Sequence, residues 1–145
     1  MKIEHWSLIN QYFQACWVEF NADSVRSLLK EGIVFGVGEL NEENKAETKV
    51  ELRGINDVMN YYERTYFNVA NISSTNIIDF KIKESPHDPT KPYFFSICAE
   101  YTIEQTYVVG SGSQRYRAKV VEFFFPSKGG KISIINRTMK KELIS

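Results

Sequence analysis

The chain has 145 residues, of which 43% are hydrophobic and 25% charged, the size and composition of one folded domain spanning residues 1–145. Lys plus Arg number 18 and Asp plus Glu number 18, and a net charge of zero offers no electrostatic footprint for nucleic acid or an anionic membrane surface. No apolar run approaches the ~20 residues of a membrane span, and the N-terminus lacks the apolar core of a signal peptide, so a cytoplasmic protein is expected. Cys16 and Cys98 both sit in apolar periodic stretches, which predicts buried free thiols.

From Trp6 to Phe20 the apolar residues recur at helical spacing. Ile9, Phe13, Cys16 and Phe20 form one stripe, with Tyr12 and Trp17 beside it. Asn21-Ala22-Asp23 breaks the pattern. Asp23 or Ser24 is then the expected N-cap of a short second helix that turns Val25, Leu28 and Leu29 inward and stops at Gly32. Ile33 to Val37 reads as a strand. The polar stretch Glu39 to Thr48 reads as an exposed loop. A third helix is predicted after Gly54, capped by Asn56 or Asp57, with Val58, Met59, Tyr62 and Tyr66 on its buried face.

The remainder reads as β. Ile72 to Lys83 alternates around Ile78, Phe80 and Ile82. A Pro-rich turn from Ser85 to Pro92 ends it. Tyr93 to Val109 is a long strand with Tyr93, Phe95, Ile97, Ala99, Tyr101 and Ile103 on one face. Gly110-Ser111-Gly112-Ser113 is a hairpin turn, Gln114 to Phe125 the next strand, Ser127-Lys128-Gly129-Gly130 the next turn, and Lys131 to Lys140 the last strand. Helices followed by an antiparallel meander define an α+β chain. Helices packed on a long curved sheet leave a cavity wherever the layers do not interdigitate, and that cavity is the default ligand site.

Phe20-Asn21-Ala22-Asp23 with Val25, Leu28 and Leu29, then Ile33-Val34-Phe35, resembles the opening of nuclear transport factor 2-like and SnoaL-like proteins. Arg53-Gly54-Ile55 with Val58 and Tyr61-Tyr62 resembles that family's third helix, and Gly129-Gly130-Lys131-Ile132-Ser133 its last hairpin. The resemblance implies a cone-shaped α+β roll, with three N-terminal helices packed on a curved antiparallel sheet. It leaves function open, because this fold hosts enzymes and non-catalytic subunits alike. Ketosteroid isomerase chemistry within the family needs a strand carboxylate as base and a hydrogen-bonding pair for an oxyanion. By resemblance the helix donor falls on Cys16, the base on Val37 and the second acid on Glu122. Only Glu122 keeps a suitable side chain. Glu39, at the parity of Val37, is the nearest substitute.

Glu122 shares its strand parity with Tyr116, Ala118, Val120 and Phe124. A carboxylate on that apolar face is either an acid/base near neutrality or a structural group held by a tyrosine or an arginine. Phe13, Cys16, Trp17, Phe20 and Phe35 are candidate ligand contacts beside Glu122. Tyr62, Tyr66, Tyr101 and Tyr116 would add phenols, which are otherwise core rings with polar tips. The opposite parity carries Arg115, Arg117 and Lys119, then Val121, Phe123 and Phe125. The basic half is either an anion patch or the cross-strand partner of Glu100 and Glu104. Outward aromatics suggest a partner surface. Since resembling proteins often dimerise through this sheet face, Arg117, Lys119, Phe123 and Phe125 are the expected homodimer contacts. His5 and His87 are too far apart in context to suggest a metal centre. No Ser-His-Asp set, phosphate-binding glycine loop or CxxC pair is present, so no cofactor is expected.

Three functions fit these residues. The first is binding of a small hydrophobic or amphipathic molecule without a recognisable catalytic set. The second is a lyase or isomerase using Glu122 as acid/base. The third is an interaction module that works through the sheet face, its cavity filled by aromatic side chains.

Overall fold

A computed structural model describes residues 3–41, 43, 45–67, 72–84, 96–127 and 129–144. The Pro-rich turn with His87, and the strand residues Tyr93 and Phe95, lie outside the described residues. Among the described residues no helix is long and apolar enough to cross a membrane.

Helix α1 spans Ile3–Phe13 and widens into a π-helical turn over Gln14–Val18. The widening is visible in the Glu19 N–H, which reaches five residues back to the Gln14 carbonyl at 2.9 Å. Phe20 then takes a left-handed φ of 51°, and the Asn21 N–H closes onto the Ala15 carbonyl at 2.9 Å. This is the glycine position of a helix C-terminus, occupied here by a bulky ring. Helix α2 spans Ala22–Leu28 and is capped by Asn21, which accepts from the Ser24 N–H at 3.1 Å. The cap is therefore Asn21, not Asp23 or Ser24. The helix ends before Gly32 because Leu29 is already buried in the sheet opposite Ile132.

Strand β1 spans Leu29–Leu40 and β2 spans Ala46–Arg53. Most of the stretch expected as an exposed loop is therefore a hairpin. Its turn is built by the Asn41 side chain, which accepts from the backbone of both Glu43 and Lys45 at 3.0 Å. Helix α3 spans Ile55–Tyr62 and continues as a second π-helical turn over Glu63–Phe67. Its N-cap is Gly54, not Asn56 or Asp57. Gly54 has a φ of 90°, and its N–H is tied to the Ile33 carbonyl at 2.8 Å.

Strands β3 (Ile72–Glu84), β4 (Ile97–Val109), β5 (Gly112–Pro126) and β6 (Ile132–Leu143) complete a six-stranded sheet of order β2-β1-β6-β5-β4-β3. The expected sheet was antiparallel throughout. One pairing, β1 with β6, is parallel, because the last strand returns beside the first. Strict alternation in β3 also fails. Asp79 has a φ of 54° at a bulge between Ile78 and Lys81. The extra residue turns both Ile77 and Ile82 toward the core and leaves Ile78 exposed.

One core joins the three helices to one face of this sheet. The strand registers arrange that inner face in rows. Phe35, Ile135, Phe124 and Ile97 form the first row, and Val37, Arg137, Glu122 and Ala99 the second. Glu39, Met139, Val120 and Tyr101 form the third. Beyond them lie Lys141, Ala118 and Ile103, then Tyr116 and Gln105, then Gln114 and Tyr107. The helices reach the first three rows. Tyr12 packs edge-on to Phe124 at 5.2 Å, and Phe13 edge-on to Tyr101 at 4.9 Å.

Candidate functional site

Two places on the inner face carry polar chemistry. The first is the second row. Glu122 and Arg137 stand directly opposite each other on β5 and β6. Arg137 Nε donates to Glu122 Oε2 at 2.6 Å, and both side chains have 0% exposure. The Tyr101 hydroxyl donates to Glu122 Oε1 at 2.7 Å. Arg137 Nη2 donates to the Tyr12 hydroxyl at 2.8 Å and reaches the Tyr62 hydroxyl at 3.5 Å, while Tyr12 and Tyr62 share a short hydrogen bond. The guanidinium carbon sits 5.1–5.6 Å from the ring centres of Tyr66, Trp17, Phe35 and Tyr62, within cation–π range.

The electrostatics follow from this enclosure. Burial opposes the Arg137 charge, but Glu122 and the phenol oxygens outweigh it and hold the pKa well above the ordinary arginine value. Burial raises the phenols of Tyr12, Tyr62 and Tyr101 well above their usual range. It also pushes the Cys16 thiol up to about 12. All four stay protonated at neutral pH. Each Glu122 oxygen already accepts a charged or phenolic hydrogen bond, and neither meets solvent. Cys16 and Val37 are fully buried in the same core.

The second place is the far end of the inner face. Here Ile103, Ala118 and Val109 floor a pocket of about 310 Å³, walled by Tyr107 and Tyr116 with Gln105, Gln114 and Lys141. That volume is at the lower end for small-molecule sites. The two tyrosines meet edge-on at 5.2 Å. Each donates to the glutamine two residues away, Tyr107 to Gln105 at 2.9 Å and Tyr116 to Gln114 at 3.1 Å. Lys141 pairs with Glu39 at 3.2 Å. Glu39 thus lies on a paired strand rather than in a loop.

The residues singled out in the sequence divide between these places. Tyr116 lines the open pocket. Phe13, Cys16, Trp17, Phe35, Tyr62, Tyr66 and Tyr101 surround the closed cluster with Glu122, while Phe20 is partly buried against Phe67. On the outer face Arg117 pairs with Glu104 at 2.9 Å and Glu142 at 3.8 Å, and Arg115 pairs with Glu104 at 3.4 Å. Glu100 pairs instead with Lys83 at 3.9 Å. Phe123 is 36% exposed, Lys119 is exposed and Phe125 partly buried. Sequence reasoning missed Arg137. The signal was its parity with Ile135 and Met139, which puts a charge on the apolar face of the strand that pairs with Glu122.

No family model matches the chain, and no curated protein matches its sequence. Solved structures do match. A type 2 hexachlorocyclohexane dehydrochlorinase, LinA, is similar with a TM-score of 0.68 at 10% identity, over 98% of this chain and 87% of that one. An LEH-like epoxide hydrolase of M. tuberculosis gives 0.56 at 15% identity, over 94% and 82%. The CaMKII hub of S. rosetta gives 0.58 at 9% identity, over 97% and 95%. At these identities the likeness is one of fold. The chain has the nuclear transport factor 2-like cone fold that its motifs resemble.

Proposed function

We propose that the whole chain is one cytoplasmic small-molecule-binding domain, with its ligand at the far end of the inner face. The observation that carries this reading is the pocket of about 310 Å³, an aliphatic floor between two tyrosines and two glutamines. Such a lining favours a small, largely apolar molecule with one or two polar groups. The fold is shared with proteins named for hexachlorocyclohexane and epoxide chemistry, which agrees with a small apolar ligand. Binding is favoured over acid/base catalysis at Glu122, because that carboxylate has both oxygens occupied and no solvent contact.

Native mass spectrometry of the purified protein, with nitrogen- and carbon-edited NMR of any retained molecule, tests this. A ligand that moves the Tyr107, Tyr116 and Ala118 signals, and is lost on Ala118→Phe, is expected. A ligand that leaves those signals unmoved overturns the placement.

A second reading concerns the outer face. Val121 and Phe123 are 38% and 36% exposed there beside Arg117, Lys119 and the partly buried Phe125. A homodimer covering these residues would bury that apolar strip. Phe123→Lys is expected to shift sedimentation from dimer to monomer with folding intact; an unaltered dimer, or a monomeric wild-type protein, removes the face.

A further inference from the structure

The pocket between Tyr107 and Tyr116 has one charged side chain among its described lining residues, Lys141. The strand registers fix where that charge stands. Lys141 on β6 is directly opposite Ala118 on β5, and Ala118 is directly opposite Ile103 on β4. Ala118 is too small to cover its neighbours, so the lysine stem borders an aliphatic floor while the side chain stays 45% exposed at the rim. Glu39 pairs with Lys141 at 3.2 Å but lies outside the lining. It stands beside Met139, one row nearer the helices, and so approaches the ammonium from the closed side. The Lys141 charge is felt inside the pocket. Burial raises the Tyr107 phenol above its usual range, and Lys141 acts against that rise.

We propose that the ligand of this pocket is a small amphipathic carboxylate, with its apolar body on Ile103, Ala118 and Val109 and its carboxylate on the Lys141 ammonium at the rim. The inference rests on the placement of the ligand between Tyr107 and Tyr116. Charge selects the class. A cationic head would meet Lys141 before it met Glu39, and a neutral head would leave the charged donor of the lining without a charged partner. An ammonium carries three N–H donors, so Lys141 can bridge Glu39 on one side and a ligand carboxylate on the other. The second carboxylate is tolerated because water reaches the rim and screens the two acids from each other. The Glu122–Arg137 pair, at 0% exposure, has no such screening and no room for a third charge.

The test uses three probes that share one body and differ in the head: 3-phenylpropanoate, 3-phenylpropanamide and 3-phenylpropylamine. Each is titrated into the intact protein at neutral pH while the Tyr107, Tyr116 and Ala118 signals are followed by NMR. The acid should bind about fivefold more tightly than the amide, the scale of one half-exposed ion pair, and the amine most weakly. Added salt should narrow the lead of the acid. Lys141→Met should bring the acid-to-amide ratio to about one, and Lys141→Arg should preserve the preference. Glu39→Gln removes the competing carboxylate and should tighten the acid by about two- to threefold. Thermal melts confirm that the variants fold.

Equal binding of acid and amide overturns the proposal, as does a preference that survives Lys141→Met. Tightest binding by the amine overturns the anionic class. Acid binding that does not tighten in Glu39→Gln overturns the sharing of the ammonium. Probes that move the three signals without ranking by charge sink this inference and leave the pocket standing. Probes that move none of the signals remove the pocket, and this inference with it.

Discussion

Two ion pairs lie on the same inner face, and they differ in almost everything except charge. Glu122–Arg137 occupies the second row, at 2.6 Å with 0% exposure on both sides. Glu39–Lys141 lies where the face opens, at 3.2 Å with Lys141 at 45% and Glu39 at 16% exposure. The first pair is enclosed by rings, with Tyr101 donating to Glu122 and Arg137 Nη2 donating to Tyr12. The second borders a pocket and is wetted on one side. The same two charge types therefore act as a rigid core element in one row and as an adjustable rim one or two rows away. Surroundings, not residue type, set the role.

The sharpest way to break this comparison is Arg137→Met. The substitution keeps much of the volume but leaves the Glu122 carboxylate buried with Tyr101 as its remaining donor. Loss of one member of a buried pair destabilises by about 3–5 kcal/mol, measurable as a shift in the urea midpoint. Replacing both charges, Glu122→Leu with Arg137→Met, should return stability to within about 1 kcal/mol of the parent or above it. A double variant as unstable as the single one would mean that the rings and tyrosines, not the charge balance, set the energetics of this row.

Alkaline pH probes the same cluster without mutation. Tyr12, Tyr62 and Tyr101 have folded-state pKa values above the ordinary 10.0, and Cys16 is raised from 9.0 to about 12. These acids hold their protons more tightly when folded. Their contribution to stability is complete below the unfolded values and is lost as pH rises through the folded ones. Stability should thus fall progressively above about pH 9–10, the reference range of these groups. Tyrosinate absorbance should rise in two steps, the half-buried Tyr107 ionising in the folded state and the core phenols only with unfolding. A single early step would mean that water reaches the second row.

Why one region was readable in the sequence and the other was not has a physical cause. The apolar stripe of Ile9, Phe13 and Cys16 and the inward parity of Tyr101, Val120 and Glu122 are local periodicities, and the structure keeps them. Glu122 stood out as an acid on an apolar face, and its burial follows from that. Its partner did not, because the Glu122–Arg137 meeting depends on the register set by the turn between Phe125 and Ile132. The open pocket was less legible still. Its residues come from β4, β5 and β6, and what makes it a pocket is that the described helices pack over the first three rows only, which no residue encodes by itself. The bulge at Asp79 and the parallel pairing of β1 with β6 belong to the same class of long-range choices.

The smallest expected effect sharpens the comparison from its other side. Lys141→Met removes a charge from the rim pair while keeping an unbranched side chain against Ala118. Glu39 is then left with some access to water, so its desolvation is partial and the Coulomb term lost is screened. Exposed and half-exposed pairs contribute about 0–1 kcal/mol, and the urea midpoint should move by that little. The consequence should appear in binding instead. An apolar methionine at this wall extends the aliphatic lining of the pocket, so apolar probes should bind somewhat more tightly. A stability loss comparable to that of Arg137→Met would show that the rim is as closed as the core, and the distinction between the two pairs would fall.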